Sequence, residues 1–271
     1  QAIKNTGVNT IPFIRNAMSM GIPYTRIYKR IIRYGWGAES VILNSSITEF
    51  TSAIGCNLAK DKFASKNILA SLGLPVAPGA IASSKLQSLK IAQEIGSSVV
   101  LKPVSADKGF EVHVDLRDRD EIERAYDAIT NKNHQCLVEK FYSARDYRVH
   151  VFRGEVYRCI ERIPGGVTGD GTSSIDTLIN IQNSRRISSA NKSERYAQIE
   201  YDLEATRILS RNGYDKDSVP AKGQFVTLRA SANISRGGII RDVLTKAHPD
   251  NLDLAVRATE ALGLDLAGVD L

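Results

Sequence analysis

The spacing of apolar and polar residues predicts that helices and strands alternate along most of the chain. Apolar residues recur at helical spacing over 51–72, where Gly73 is the stop signal, and Ser84 and Gly96 bound a helix over 84–95. Further helices are predicted over 11–20, 118–130, 175–183, 197–212 and 251–262. A hairpin is predicted over 99–114, and other strands over 80–82, 136–139, 147–152, 156–161, 224–230 and 266–271.

The element order predicts an α+β fold with more than one subdomain. Residues 80–130 follow a β-α-β-β-α order, which is typical of a sheet with a helical layer on one side. A length of 271 residues exceeds the usual size of one domain. We therefore predict a short N-terminal segment over 1–58, a first subdomain over 59–135 and a second over 136–271.

Two polar segments contain too much glycine for regular structure. Residues 164–172 read PGGVTGDGT and residues 233–238 read NISRGG. We predict a mobile loop over a site for the first segment and a polar turn for the second. Two interpretations of Asp170 stay open: contact with an amine substrate, or formation of a turn.

Composition excludes several classes of protein. The net charge is +6, but acidic residues interleave the cations and aromatic residues make up only 7%, which argues against a nucleic-acid partner. No apolar run is long enough for a transmembrane helix, and no membrane partner is expected. The three cysteines and four histidines lack metal-ligand spacing, so we predict reduced core cysteines in a cytoplasmic protein.

The strongest chemical signal is the hairpin VVLKPVSADKGFEV over 99–112. Its first strand ends at Lys102, and the polar loop over 105–109 that follows offers backbone N–H groups and a second ammonium to one anion. An ordinary hairpin with a surface lysine fits this loop equally well. The segment LVEKFYSARDYRVHVF over 137–152 favours a nucleotide site, because its polar residues suit the rest of a nucleotide.

Six segments resemble the ATP-grasp superfamily. They are AIGCNLAKDKFASKNILASLGLPVAPG, VVLKPVSADKGFEV, LVEKFYSARDYRVHVF, ERIPGGVTGDGTSSIDTLI, LRASANISRGG and GLDLAGVDL, in the order that the family has. The resemblance is greatest to the branch that contains cyanophycin synthetase and the glutathione-forming domain of bifunctional glutathione synthetases. It implies an ATP-grasp fold in which two α+β subdomains sandwich the nucleotide.

The resemblance also implies the activity. It indicates an ATP-dependent carboxylate-amine ligase that forms an amide through an acyl phosphate, with release of ADP and phosphate. ATP and Mg²⁺ are the implied cofactors, and amino acids or peptides are the implied substrates. The alternative is a catalytically weak ATP-binding module of a larger biosynthetic protein. ATP-dependent phosphate release that needs both a carboxylate and an amine distinguishes the two.

Nucleotide contacts follow from the family's motifs. Lys102 matches the lysine that reaches the α and β phosphates, Glu139 the acid that faces the adenine amino group, and Asp146 the acid that binds the ribose hydroxyls. A salt-bridged surface lysine and an exposed edge acid are the alternatives for Lys102 and Asp146. The other implied contacts are Lys62, Asp107, Lys108, Gly109 and the backbone at Phe141 and Tyr142.

Arginines are the implied catalytic groups, because a guanidinium binds two oxygens and stays charged. Arg162 and Arg229 precede the two glycine-containing loops, and Arg148 either joins them at the phosphoryl group or pairs with an acidic neighbour. Asn233 matches the polar turn at the reacting carbonyl. Asp270 matches the first magnesium carboxylate.

Three features depart from the pattern or lie at its limits. Glu111 stands where the family usually has a second loop glycine. The Glu-x-Asn pair that completes the family's magnesium site is absent before Leu271, so we expect a longer natural chain. Tyr34 and Trp36 suit packing on a second copy, which leaves a homo-oligomer open.

Overall fold

A computed structural model describes residues 9–105, 111–188, 197–232 and 234–271. The helices are α1 (Thr10–Ser19), α2 (Ala53–Lys60), α3 (Lys62–Ser71), α4 (Lys85–Ile95), α5 (Arg119–Thr130), α6 (Ile175–Ser188), α7 (Leu203–Arg211) and α8 (Pro249–Ala261). The strands are β1 (Tyr24–Tyr28), β2 (Ile31–Tyr34), β3 (Val41–Asn44), β4 (Ile47–Thr48), β5 (Gly79–Ala82), β6 (Val99–Pro103), β7 (His113–Leu116), β8 (Cys136–Lys140), β9 (Asp146–Phe152), β10 (Glu155–Ile163), β11 (Gly166–Thr168), β12 (Phe225–Thr227), β13 (Ile239–Asp242) and β14 (Leu266–Asp270).

The chain divides into two compact units. The first consists of Gln1–Val76, Val149–Arg158 and Ala247–Val269, and the second of Ala77–Arg148, Cys159–Lys246 and Asp270–Leu271. These units are discontinuous in sequence, and the predicted boundaries at residues 58 and 135 stay a prediction.

The first unit contains a four-stranded antiparallel sheet in the order β1-β2-β3-β4. Ile32 of β2 lies opposite Leu43 of β3, and both side chains are buried. The N-terminal segment therefore has its own sheet.

In the second unit, the sheet with strand order β5-β8-β6-β7 confirms the predicted α+β unit. Its adjacent strands are antiparallel. Helices α4 and α5 pack on each other and on the sheet. The core between them is apolar, as expected from the helical periodicity of both segments; it includes Ile91, Leu101, Ile122, Ile129 and Val138.

A second four-stranded sheet has the order β13-β10-β9-β14, and the division between the units runs through its strands. At the end of this sheet that belongs to the second unit, Tyr147 and Leu271 exchange backbone hydrogen bonds of 3.0 and 2.9 Å. Asp146 and Asp270 precede these two residues, so both acids reach the same end of the sheet.

The predicted helix over 51–72 is wrong in one respect: it is interrupted at Asp61. The Asp61 carboxylate accepts hydrogen bonds from the Phe63 and Ala64 N–H groups at 2.9 Å, and thus caps α3 rather than lying within a helix. The apolar periodicity continues across this cap, which is why the pattern predicted a single helix.

Two other predicted segments also differ. The segment over 164–172, predicted as a loop, contains strand β11, which pairs with β12. The pairing involves only three residues of each strand, so it fits within this glycine-containing segment. The helix predicted over 197–212 begins only at Leu203, since Asp202 caps it by accepting from the Ala205 N–H at 3.0 Å.

Candidate functional site

Lys102 and Glu139 lie on neighbouring strands of the first sheet in the second unit. Lys102 of β6 is opposite Leu137 of β8, and Glu139 is two residues further along β8. Such diagonal neighbours share a face of the sheet, and the Lys102 ammonium forms an ion pair with the Glu139 carboxylate. Because Glu139 is buried and Lys102 is only partly so, the acid holds a cation at the surface of the sheet.

Gly79 lies opposite Glu139 on the other side of β8. A Cβ atom at residue 79 would lie 2.3 Å from the Val138 carbonyl oxygen and 2.8 Å from the Glu139 Cα. Only glycine allows β5 to approach this closely. Sequence reasoning missed Gly79, whose sole local signal is its place between a proline and a strand.

The predicted hinge follows β8. The Phe141 N–H donates to the Ser98 carbonyl at 2.9 Å, so the sheet already uses this donor. The Tyr142 side chain is exposed, and the Lys140 ammonium lies 5.2 Å from its ring centroid. A contact from this hinge to the edge of a base would therefore come from backbone groups other than the Phe141 N–H.

Asp146, Arg148, Arg162 and Asp270 form a cluster of alternating charges. Arg148 Nε and Nη2 donate to the two oxygens of Asp270 at 2.7 and 2.9 Å. Arg162 Nε and Nη2 donate to Asp146 Oδ1 at 2.9 and 2.6 Å, and Nη2 also lies 3.3 Å from Asp270 Oδ2. The structure thus brings together four residues to which the sequence assigned separate roles, and it supports the acidic-neighbour alternative for Arg148.

The surroundings of Asp146 in this cluster shift the pKa of its carboxyl. Burial raises the pKa of the Asp146 carboxyl, although Arg162 acts in the opposite direction. The nearby Asp270 carboxylate adds to the rise. Two guanidinium groups and two carboxylates balance in charge, so an incoming anion would compete with the acids for the arginines.

Arg229 is held in a second ionic cluster and is almost completely buried, with 2% of its surface exposed. Its Nη1 donates to Asp202 Oδ1 at 2.5 Å, and its Nη2 donates to the Glu200 carbonyl at 2.7 Å. Arg236 Nη2 lies 3.0 Å from Glu204 Oε2 in the same cluster. Sequence reasoning missed these two acids, although a polar residue before a helical pattern, such as Asp202, is a recognisable cap signal.

Backbone hydrogen bonds connect the segment after Arg162 to the segment that contains Arg229. Arg162 of β10 lies opposite Ile240 of β13. Three residues after Arg162, the Gly165 carbonyl accepts hydrogen bonds from the Leu228 and Arg229 N–H groups at 2.8 and 3.0 Å. A Cβ atom at Gly165 would lie 3.1 Å from the Arg229 Cγ, so the glycine leaves room for this side chain.

Known proteins match the chain over this region. A model of the ATP-grasp domain family matches residues 57–156. The cyanophycin synthetase of Trichormus variabilis is 36% identical over 268 residues, which cover 98% of this chain and 30% of the relative. The chain is thus similar to proteins of the ATP-grasp superfamily. The glutathione biosynthesis bifunctional protein of Mannheimia succiniciproducens is 28% identical over 235 residues, 85% of this chain and 31% of the relative.

Solved structures confirm the ATP-grasp fold and its α+β class. The bifunctional glutathione synthetase of Pasteurella multocida superposes with a TM-score of 0.64 at 24% identity, covering 98% of this chain and 37% of that one. The D-alanine–D-alanine ligase of Bacillus anthracis gives 0.50 at 13% identity, with 81% and 54% covered. The chain spans about 30% of the length of the curated relatives it matches.

The remaining predicted residues lie in the first unit, in a turn, or outside the residues that the structure describes. Lys62 belongs to the first unit, where it is the first residue of α3. Asp107, Lys108, Gly109 and Asn233 lie outside the described residues. Asp170 takes the turn-forming alternative: its Oδ1 accepts from the Thr172 and Ser173 N–H groups at 2.8 and 2.7 Å. These bonds, above all those from Ser173, lower the pKa of its carboxyl.

The first unit has a separate cavity of about 590 Å³. Phe13, Leu43, Phe152 and Leu266 are among its lining residues, and none of the predicted site residues lines it. In the described part of the chain, no helix is long and apolar enough to span a membrane. The same residues contain no group of three or more His, Cys, Asp or Glu side chains arranged to hold a metal.

Proposed function

We propose that this chain is the ligase domain of an ATP-dependent enzyme that joins a carboxylate to an amine. The substrates are amino acids or short peptides, and the product is an amide. The proposal rests on the similarity to the ATP-grasp superfamily together with the Asp146–Arg162–Asp270–Arg148 cluster, which is the observation that carries it.

The chemistry takes place in two displacements. A carboxylate oxygen of one substrate attacks the γ-phosphorus of ATP, and the bond from that phosphorus to ADP breaks. The amine nitrogen of the second substrate then attacks the acyl carbon, the carbon–oxygen bond to phosphate breaks, and the nitrogen loses a proton to solvent. Neither displacement needs a protein nucleophile, so the enzyme contributes positioning and charge.

The cation for the transferred phosphoryl group comes from Arg162, and Arg148 holds the Asp270 carboxylate beside it. A guanidinium donates hydrogen bonds to two anionic oxygens in a fixed plane and never loses its charge. The hydrogen bonds from Arg162 to Asp146 support this role, because they fix the plane of the guanidinium. Arg229, fixed by Asp202, serves the acyl phosphate, and Asn233 the reacting carbonyl.

Lys102 and Glu139 belong to the nucleotide side of the proposed site. The Lys102 ammonium binds the α and β phosphates, Glu139 faces the adenine amino group, and Asp146 accepts from the ribose hydroxyls. The Lys102–Glu139 ion pair supports the first two roles, because it places the ammonium and the acid together on one face of the sheet. Lys62, the hinge at Phe141 and Tyr142, and residues 107–109 complete the proposed contacts.

The residues fit Mg²⁺ in its usual mode with nucleotides, in which one or two carboxylates are supplemented by phosphate and water oxygens. Asp270 provides one such carboxylate, and Asp146 lies close enough to share Arg162 with it. A magnesium ion held by Asp270 would neutralise charge on the phosphate oxygens.

The weak-module alternative rests on Glu111 and on the absent Glu-x-Asn pair, and the structure bears on the first of these. Glu111 has a backbone φ of +47°, in the left-handed region that glycine adopts most readily. Its carboxylate is held by Lys132 and His113, which lower its pKa, Lys132 having the larger effect. Glu111 therefore has a backbone conformation that also suits a glycine, which favours the active enzyme.

A screen for ADP release tests the proposal. The chain is incubated with Mg²⁺ and ATP over amino acids and short peptides, singly and in pairs, and products are weighed by mass spectrometry. We expect ADP release that needs both a carboxylate and an amine substrate. The expected product is a new amide whose mass is that of the two substrates together minus one water. ATP binding without turnover over the whole set would contradict the ligase and support the weak module.

A further inference from the structure

Helix α7 has opposite charges at its two ends, and each end is joined to a different part of the proposed site. Asp202 and Glu204 lie at its start, and Arg207 and Arg211 lie in its last turns. This order is also the one that the helix dipole favours. All of the contacts described below lie within the second unit.

The acidic end holds Arg229 and the residue after it. Asp202 Oδ1 accepts from Arg229 Nη1 at 2.5 Å, and Glu204 Oε1 accepts from the Ala230 N–H at 3.1 Å. Burial acts to raise the pKa of Asp202, but the Ala205 N–H, Arg229 and Arg236 together keep it below its ordinary value. The first turn of α7 therefore fixes both the guanidinium and the backbone of the Arg229 segment.

The basic end holds β7 and the start of α5. Arg211 Nη1 donates to the Asp115 carbonyl at 2.9 Å and lies 3.3 Å from its carboxylate, while Nη2 bonds Glu121. The Glu121 side chain is buried, and its second oxygen accepts from the Arg117 N–H at 3.0 Å. One arginine thus joins a strand residue and a helix residue.

Asp115 has an unusual backbone for a strand residue. Its φ is +53°, in the left-handed region that non-glycine residues adopt only at a cost. Arg117 Nε and Nη2 each donate to its carboxylate at 3.0 Å, and Arg211 binds its carbonyl. The conformation of β7 at this point therefore depends on the end of α7.

Strand β7 leads back to the proposed phosphate site. His113 of β7 lies opposite Leu101 of β6, the residue directly before Lys102. Helix α7, with nine residues, is about 14 Å long. A short rigid element thus connects the strand pair that carries Lys102 with the segment that carries Arg229.

We propose that α7 couples the nucleotide end of the site to the acyl-phosphate end, and that Arg211 is the positioning residue that makes this connection. The inference rests on the proposed function for the roles of Lys102 and Arg229. Binding of a nucleotide at the β6–β7 hairpin then orders the Arg229 segment through α7, so the two ends are in place together.

The test compares the wild-type chain with Arg211→Gln, which removes the charge and the fork between Asp115 and Glu121. The probe is the non-hydrolysable ATP analogue AMP-PNP with Mg²⁺. We expect its dissociation constant to rise about tenfold in Arg211→Gln, as for loss of a hydrogen bond between charged groups. Arg119→Gln is the matched control, because Arg119 pairs only with Glu123 on the exposed face of α5 among the contacts described.

Hydrogen exchange provides the readout that a purely structural role would not change. In the wild-type chain, AMP-PNP should slow exchange in residues 225–232 as well as in the hairpin. In Arg211→Gln at saturating AMP-PNP, the protection of residues 225–232 should be lost while that of the hairpin persists. Arg211→Lys, which keeps the charge but not the fork, should restore it only in part.

Two results would overturn the inference. One is unchanged protection of residues 225–232 in Arg211→Gln, and the other is a wild-type chain in which AMP-PNP protects the hairpin alone. If the substitution destabilises the chain, Glu121→Gln tests the same connection from α5 and should also remove the protection. A wild-type chain that binds no AMP-PNP contradicts the proposed function instead. In that case, hydrogen exchange of ligand-free Arg211→Gln still tests the connection through α7. Faster exchange at both β7 and residues 225–232 would support α7 as the connection, and faster exchange at β7 alone would refute it.

Discussion

Arg162 binds Asp146 with two nitrogens and reaches Asp270 with one of them. Its Nε and Nη2 lie 2.9 and 2.6 Å from Asp146 Oδ1, and Nη2 lies 3.3 Å from Asp270 Oδ2. One guanidinium therefore orders the carboxylate that we propose for ribose and the carboxylate that we propose for magnesium. The consequences of losing this arginine should appear at both.

Replacing Arg162 with lysine should lower kcat/KM for ADP release about a hundredfold. A lysine keeps the charge, but it lacks the planar fork that binds two oxygens and holds two acids at once. Steady-state ADP release measures the effect. Arg257→Lys is the control, since Arg257 makes an exposed pair with Asp253 within α8. Equal rates for the two variants would remove Arg162 from the proposed site.

Nucleotide affinity should fall as the solution is acidified through the pKa of Asp146. Burial raises this pKa above its ordinary value of 3.8, so the folded chain takes up the proton before the unfolded chain does. Its contribution to folding stability is therefore present below 3.8 and is lost as the pH rises through the folded pKa.

A protonated Asp146 accepts fewer hydrogen bonds from a sugar diol. AMP-PNP titrations over a pH series should show wild-type affinity dropping on acidification, whereas Asp146→Asn should be weaker at neutral pH and should lack this step. Parallel curves for the two proteins would mean that Asp146 does not contact the nucleotide.

Replacing Lys102 with methionine should abolish measurable AMP-PNP affinity. The same change leaves the buried Glu139 without its Lys102 partner, which costs folding stability. We therefore expect the double variant Lys102→Met/Glu139→Gln to regain stability in urea unfolding without regaining affinity. If nucleotide binding persists in either protein, the phosphate assignment of Lys102 is wrong.

Alanine at Gly79 should destabilise the fold by about 3 kcal/mol, because the new Cβ overlaps the Val138 carbonyl oxygen and the Glu139 backbone. Gly96→Ala is the comparison. Unlike Gly79, Gly96 has a positive φ, of 67°, but the space around it is open, so the change should cost only about 1 kcal/mol. Urea unfolding of both proteins measures the difference; equal costs would show that β5 and β8 separate easily at this point.

Local chemistry made part of the fold predictable. Ser84 accepts from the Gln87 N–H at 3.2 Å, and Gly96 ends the same helix with a left-handed backbone, as the residue types indicated. The start of α7 at Asp202 escaped prediction because apolar residues before it continue the helical spacing. The strand β11 escaped because glycine content conceals a pairing that depends on distant residues 225–227.

The sequence named residues of the candidate site, but it did not indicate which of them pair with each other. Family motifs identified Arg148 and Asp270, which lie 122 residues apart, but no spacing rule indicates that they pair. The same holds for Arg211, whose partners at Asp115 and Glu121 lie about 90 positions away. Such pairs arise from the tertiary fold, and a single sequence carries no signal for them.

Oxygen-18 transfer tests the central claim most directly. An amino acid or peptide that supports ADP release is labelled in its carboxyl oxygens, and the released phosphate is analysed by mass spectrometry. An acyl phosphate requires one labelled oxygen to appear in each phosphate, because the carboxylate oxygen leaves with the phosphorus it attacked. Unlabelled phosphate released together with the amide would contradict this account.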